Sequence, residues 1–338
     1  MNDKPHLGLT MGDPCGIGPE VVIKALQDPR VYDWCVPVVI GNKQSLKHTA
    51  RMLECDVTIT EISETDIGRN QGKDRKAINV IDIGNLNYED VTIGEINPIC
   101  GKAAMEWVTH AGELAIRGLI GGIATAPLNK EAASLAGYEA IGHMELLQEL
   151  TGSKTVATML IAKNLRVVHL TTHRSLRIAC DYVTQDRILD YLQITDENFK
   201  KWGFENPRIG VAALNPHGSD GGLLGTEENE EILPAVLEAK KNGLNVEGPI
   251  PADIIFHQAI NDQYDVVLCM YHDQGHIPVK VYGFEESITA NLGLPFVRTS
   301  VDHGTAFDIA EKGIADPLSM IEAIKLASRL ISGSRLSS

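Results

Sequence analysis

Three short aliphatic runs constrain the fold more than any other feature of this chain: VVHLTTH over 167–173, VAALNPH over 211–217 and VVLCMYH over 266–272. Each is apolar in a near-continuous stretch, without the in–out alternation of a strand that has one wet face. Such runs predict strands covered on both sides, as in a parallel sheet with helices on its faces. All three also end on a histidine. Ligands of open α/β sheets bind beyond the carboxyl ends of the strands, so the three imidazoles are placed to converge on one site. Neutral imidazoles in that number suit a divalent transition metal.

Strand-like and amphipathic helical stretches alternate almost throughout, which is the α/β pattern. Strands are expected over 7–11, 36–41 and 78–83, with a polar surface excursion at 61–76. Helices are expected over about 20–27 and over 102–117, the latter burying Trp107, Val108, Ala111, Leu114 and Ala115 at helical spacing. Others are expected over 184–192 behind the N-cap Thr184, over 196–202, over 228–242 with a break at Pro234 and a stop at Gly243, and over 318–331. The tail SGSRLSS is expected to fray. The 338 residues suffice for two domains. No linker or repeat separates them, so the lobes are expected to interleave, 1–128 with 290–338 forming one and 129–289 the other.

Hydrophobic residues make up 43% of the chain and charged ones 22%, the balance of a soluble globular protein. A net charge of −15 argues against nucleic acid or an anionic membrane as partner. The six cysteines form no CxxC pair, which fits a reducing cytoplasm. The N-terminus lacks the basic and apolar stretches of a signal peptide, and no apolar run approaches a membrane span.

Polar loops follow the apolar runs. GDPCGIGPE (12–20) joins a strand to a helix; it is neither GxGxxG nor a P-loop, Glu20 disfavours a phosphate, and it reads as a structural glycine-rich turn. TAPLNKEA (125–132) carries Asn129, Lys130 and Glu131, and His143 stands just before a helix. NPHGSDGG (215–222) surrounds its histidine with small residues. MYHDQGHIPVK (270–280) is the densest cluster, with His272, Asp273, Gln274, His276 and Lys280. Lys280 is a candidate acid, base or anion-binding cation, and Asp273 a support for a metal-bound His272. Arg298, read at a strand end, is suited to a carboxylate or phosphate. The loop through Asp302, His303, Gly304 and Thr305 suits a nucleotide.

In this order the segments TMGDPCGIGPE, TAPLNKEA, NPHGSDGG, GPIPAD, MYHDQG–IPVK and LGLPFVRTSVDHGTAFDIA resemble the 4-hydroxythreonine-4-phosphate dehydrogenase family of vitamin B6 (pyridoxine) synthesis, over nearly the whole chain. HGTAFDIAEKGIADP is also similar to the isocitrate/isopropylmalate dehydrogenase superfamily. The resemblance implies a two-lobed α/β/α isopropylmalate dehydrogenase-like fold and a homodimer with shared active sites. It further implies a divalent metal (Zn, Mg, Mn or Co) and NAD or NADP. The implied reaction is oxidation of a secondary alcohol β to a carboxylate, followed by decarboxylation. Carried over by motif, His173, His217 and His272 ligate the metal across the dimer, with Asp253 and Asp273 supporting catalysis beside Lys280. His143, Met144, Lys280, Thr289 and Arg298 stand at substrate-binding positions. Asp302, His303, Gly304, Thr305, Ala306 and Asp308 hold the cofactor.

Three residues depart from the family pattern. Met144 stands for a threonine, Thr289 for an asparagine, and Glu311 for the glycine of AGKG. Glu311 favours NAD by repelling a 2′-phosphate. HDQGHIPVK is similar to the catabolic branches, which oxidise 4-phospho-D-threonate, 4-phospho-D-erythronate or an aromatic cis-dihydrodiol carboxylate. The expected substrate is therefore 4-phosphohydroxythreonine or one of these small phosphorylated acids. The alternative is the non-phosphorylated diol, which Met144 favours. A more distant alternative is an acyl or phosphoryl transferase of related fold.

Overall fold

The computed structural model describes residues 4–68, 75–140, 142–284 and 286–333. Residues 69–74 of the polar excursion, and most of the tail expected to fray, lie outside them. The described residues form the expected α/β structure. Its strands are β1 (His6–Thr10), β2 (Val36–Ile40), β3 (Thr58–Glu61), β4 (Ala77–Ile81), β5 (Gly122–Thr125), β6 (Ala157–Ala162), β7 (Leu165–His169), β8 (Ile209–Ala212), β9 (Val246–Ile250), β10 (Val266–Cys269), β11 (Ile288–Leu292) and β12 (Val297–Ser300).

The chain forms two compact units, Met1–Ser153 with Leu294–Ser332 and Lys154–Gly293 with Gly333–Ser338. The sequence reading places 129–153 in the second lobe, but these residues pack into the first unit. Gly101 of the helix Pro98–Ile116 is the reason: a Cβ there would lie 2.4 Å from the Ala132 backbone. Gly112 likewise leaves room for Leu147 and Leu150. A helix with two bare spots on one face lets 130–151 approach closely, and that approach fixes the segment's place. The same helix starts four residues earlier than its apolar spacing suggests. Asn97 caps it by accepting from the Ile99 and Cys100 N–H groups, and Pro98 occupies the first turn.

In the first unit the strand order is β3-β4-β2-β1-β5-β12, all pairs parallel. Succession reverses at β1, and the crevice beyond its carboxyl end is a topological switch point. The loop after β1 is pinned there by Met11 N–H to Ile40 O (3.0 Å), Asp13 N–H to Pro127 O (2.9 Å) and Ile17 N–H to Thr305 O (3.0 Å).

In the second unit the order is β11-β6-β7-β10-β8-β9. β11, β6 and β7 pair antiparallel; β7, β10, β8 and β9 pair parallel. The three histidine-bearing runs are therefore adjacent strands with β10 in the middle. Val167, Val267, Cys269, Ala212 and Leu160 are fully buried in one core cluster with Ile255. Each such aliphatic side chain contributes roughly 1.5–3 kcal/mol by leaving water.

Two helix expectations change. Residues 184–192 and 196–202 form one helix, Gln185–Lys201, because nothing between them breaks it: Thr195 returns its hydroxyl proton to Tyr191 O. The expected break at Pro234 takes the form of a π-helical turn, Glu228–Ile232, leading into the α-helix Leu233–Lys241 with Pro234 in its first turn. No helix among the described residues is long and apolar enough to cross a membrane.

Candidate active site

Two clusters, one in each unit, carry the polar residues singled out by the sequence. In the second unit His173 and His272 follow the ends of β7 and β10. Their ring centroids are 5.7 Å apart, and both line a cavity of about 330 Å³ with Arg174, Tyr271 and Asp273. Asp273 Oδ1 lies 2.7 Å from His272 Nδ1. A carboxylate there keeps the proton on Nδ1 and leaves the Nε2 lone pair available.

MYHDQGHIPVK is mostly helix, His272–Tyr282, and its spacing stacks His276 on His272 with centroids 3.6 Å apart. Beneath them His169 is buried, its ring 4.5 Å from that of His276. Burial first, and then His276, pushes the His169 pKa down to about 3, so this imidazole stays neutral. Lys280, on the same helix, donates to Ser287 Oγ at 2.8 Å and lies 4.9 Å over the Phe284 ring. Asp253 sits exposed in the first turn of the helix Ala252–Ile260. Thr289 is half-buried on β11, opposite Leu160.

His217 stands apart in conformation. His217, Gly218, Ser219, Asp220 and Gly221 all have positive φ, at 54°, 68°, 68°, 46° and 72°. Left-handed backbone costs a non-glycine residue about 1–2 kcal/mol. Asp220 Oδ2 lies 3.3 Å from His217 Nδ1. Among the described residues, no three His, Cys, Asp or Glu side chains of the chain gather closely enough to hold a metal ion. The expected convergence of His173, His217 and His272 is thus met within one chain by His173 and His272 alone. The reason is lateral spacing, since β7 and β8 flank β10 and lie two strand spacings apart, about 10 Å. Two imidazoles on one cleft, one with its tautomer set by a carboxylate, suit a zinc-type divalent ion. Further donors have to come from elsewhere.

In the first unit Arg298 is the second residue of β12 rather than its end, and is buried. Its Nη2 donates to Thr125 Oγ1 at 2.7 Å. Burial pushes the guanidinium down to about 9, with Glu145 opposing, so it keeps its charge at neutral pH. His143 opens the helix His143–Thr151, and its Nε2 is sealed from solvent with no hydrogen-bond partner among the described residues. Burial first, then Arg298 and Lys130, holds its pKa well below 6.5. A neutral imidazole with an orphaned acceptor is ready to take a proton-bearing ligand atom. Met144 follows it, half-buried. Asn129 is structural: its side chain caps the helix Lys130–Leu135 by accepting from the Ala132 N–H at 2.8 Å.

The segment past β12 is open at its tip. His303, Gly304 and Asp308 are exposed, Asp302 and Ala306 half-buried, and Thr305 buried. Ala306 has φ 42° and Glu311 φ 59°. Glu311 Oε1 is 2.5 Å from His48 Nε2. One residue escaped the sequence reading. Asp13, at the carboxyl end of β1, is fully buried, one oxygen accepting from the Cys15 N–H at 2.9 Å and the other without a partner. Burial pushes its pKa up to about 6. An acidic residue between Gly12 and Pro14, directly past a strand, was the available signal.

Comparison with known proteins gives these clusters a family. A protein of Halalkalibacterium halodurans, provisionally named a D-threonate 4-phosphate dehydrogenase, is 46% identical, covering 97% of this chain and 98% of its own. The crystal structure of a 4-hydroxythreonine-4-phosphate dehydrogenase from Burkholderia phymatum is 42% identical and superposes with a TM-score of 0.88, covering 97% of this chain and 99% of its own. A terephthalate 1,2-cis-dihydrodiol dehydrogenase from Burkholderia xenovorans is 28% identical with a TM-score of 0.70, covering 96% and 98%. The family described as pyridoxal phosphate biosynthetic protein PdxA matches residues 33–327. The chain belongs to that PdxA family.

Proposed function

We propose that the chain oxidises D-threonate 4-phosphate, or a closely similar 4-phosphorylated 3-hydroxy acid, with NAD and a divalent metal, and that decarboxylation follows. The dehydrogenase activity is that for which the relatives of 40% identity or more reported above are named. The His173–His272 pair on one cleft is the observation that carries the metal part of the proposal.

The chemistry balances without further reagents. The C3 hydrogen leaves as hydride, the hydroxyl proton goes to a base, and the resulting 3-oxo acid loses its carboxyl group as CO2. The electron pair of that C–C bond ends as an enolate, which is protonated to a three-carbon phosphorylated ketone. When bound, the nicotinamide accepts the hydride and the metal polarises the oxygen of the reacting alcohol.

His173, His217 and His272, contributed across the dimer, hold the metal. Water, or Lys280 in its neutral form, takes the hydroxyl proton, and Asp273 keeps His272 in its ligating tautomer. Arg298 supplies a buried charge for an anionic group of the substrate, and His143 Nε2 accepts from its hydroxyl. Met144 and Thr289 shape the substrate pocket, Asp253 supports the metal site, and the segment Asp302–Asp308 holds the dinucleotide. The exposed carboxylate of Glu311 favours NAD over NADP by repelling a 2′-phosphate.

A homodimer is supported by large apolar side chains left exposed in the second unit. Leu223 is 85% exposed, Val281 83% and Phe284 71%, more than an isolated surface comfortably shows. The acidic charge and free thiols suit the cytoplasm.

Nicotinamide reduction by metal-loaded protein tests the proposal. The panel contains D-threonate 4-phosphate, D-erythronate 4-phosphate, 4-phosphohydroxythreonine and a cis-dihydrodiol carboxylate. Turnover of the first by the largest margin is expected, and turnover of the diol alone refutes the phosphorylated substrate.

A further inference from the structure

The left-handed turn that carries His217 is held by a glutamate of the following EE pair, to which the sequence alone gives no role. Six successive positive-φ residues, His217–Gly222, three of them with side chains, are not a conformation the chain adopts unaided. Glu228 lies eleven residues on, in the π-helical turn, and is 1% exposed. One of its carboxylate oxygens accepts from the Leu214 N–H at 2.8 Å and the Asn215 N–H at 2.7 Å. The other accepts from Asn215 Nδ2 at 2.9 Å. A buried carboxylate thus binds the two backbone donors and the side chain that immediately precede Pro216 and His217. At the far end Ser219 closes the turn, its Oγ accepting from the Gly222 N–H at 3.1 Å. Helical turns of the π type are rare and concentrate at functional sites.

We propose that Glu228 is the positioning residue of this turn. By fixing Leu214 and Asn215 it holds the left-handed backbone that presents the His217 ring, and so sets metal affinity without touching the metal. This rests on the reading of His217 as a metal ligand. Partners one step removed from a metal typically control 10–100-fold in affinity or activity.

The test uses full-length protein stripped by chelation and titrated with Co2+, followed by visible absorption, with turnover measured against metal concentration. Glu228→Leu keeps the bulk and removes all three acceptor contacts, so Co2+ affinity is expected to fall about 10- to 100-fold. Turnover should return as Co2+ is raised to saturation. Glu228→Gln keeps a carbonyl for both backbone N–H groups but sets a donor against Asn215 Nδ2, so its loss of Co2+ affinity should be smaller than that of Glu228→Leu. A merely structural role would lower the thermal midpoint of Glu228→Leu and leave Co2+ affinity unchanged, which overturns the inference.

If Glu228→Leu does not fold, Asn215→Ala removes the side-chain ties to Glu228 and Glu227 while keeping both backbone N–H contacts to Glu228. A several-fold weaker Co2+ affinity then supports the inference, and parental affinity overturns it. His217→Ala separates the two levels. If it binds Co2+ as the parent does, the reading of His217 as a ligand fails and the inference with it. If it loses Co2+ while Glu228→Leu does not, only the inference fails.

Discussion

Asp13→Asn should change how the protein's stability depends on pH, and the structure sets both sign and size. Asp13 is fully buried with one oxygen unpartnered, and its pKa is raised to about 6 from 3.8, chiefly by burial. A carboxyl whose folded pKa lies above its unfolded value binds its proton more tightly in the native state. Its contribution to stability is therefore full in acid and falls as pH climbs between about 4 and 6, by about 3 kcal/mol in total. Between about pH 8 and 5.5 the same linkage gives about 0.8 kcal/mol, and about 2.4 kcal/mol by pH 4. Asparagine keeps an oxygen for the Cys15 N–H and cannot ionise. The variant should thus gain on the parent at about pH 8 and lose that advantage by these amounts as pH falls. Urea unfolding followed by tryptophan fluorescence reads it, because Trp107 is fully buried in the same unit. A variant advantage over the parent that is flat with pH, or that rises towards acid, refutes the assignment of a burial-raised carboxyl.

Three further substitutions probe the proposed chemistry. Arg298→Lys keeps a charge but not the planar fork, so kcat/KM should drop about 10- to 100-fold, mostly through KM, as losing one charge-assisted hydrogen bond would give. An unchanged KM would remove Arg298 from substrate binding. Asp273→Asn leaves His272 Nδ1 without its carboxylate and should weaken metal binding about 10- to 100-fold, read by chelator competition; parental affinity would show the pair to be a surface contact only. Leu223→Asp, on an 85% exposed leucine, should shift sedimentation towards monomer at micromolar concentration, and a parental profile would place the interface elsewhere.

The parts of the fold set by continuous apolar runs were legible in the sequence, because burial on both faces leaves little choice but a parallel strand. β7, β8 and β10 lie near the predicted runs, and their adjacency makes their loops neighbours. What stayed hidden depends on three-dimensional detail without period or spacing. Arg298 falls inside β12 and not at its end, since a strand boundary is a matter of partner length. The place of 129–153 was decided by Gly101 and Gly112, which carry no hydrophobic signal at all. Burial of Asp13 has no sequence signature beyond an acid between Gly12 and Pro14, because a single buried carboxyl has neither period nor spacing. Glu228 looked like one of several glutamates in GTEENEE; its burial follows only from the turn it holds.

The three proposed ligands of the second unit are placed in two ways, and the difference has a consequence for evolution of the site. His173 and His272 follow strands whose parallel pairing already brings them together, so their placement draws on core packing that the unit needs in any case. His217 is placed by a left-handed turn that opposes intrinsic backbone preference. That turn has to be stabilised locally, through the Glu228 carboxylate and the Ser219 hydroxyl. Changes to Leu214–Glu228 can therefore adjust the position of one imidazole without disturbing the strands beneath the other two. Core substitutions around β7 and β10 would move His173 and His272 together and lower stability at the same time. Of the three proposed ligands, His217 is the one whose geometry can be tuned independently of the fold.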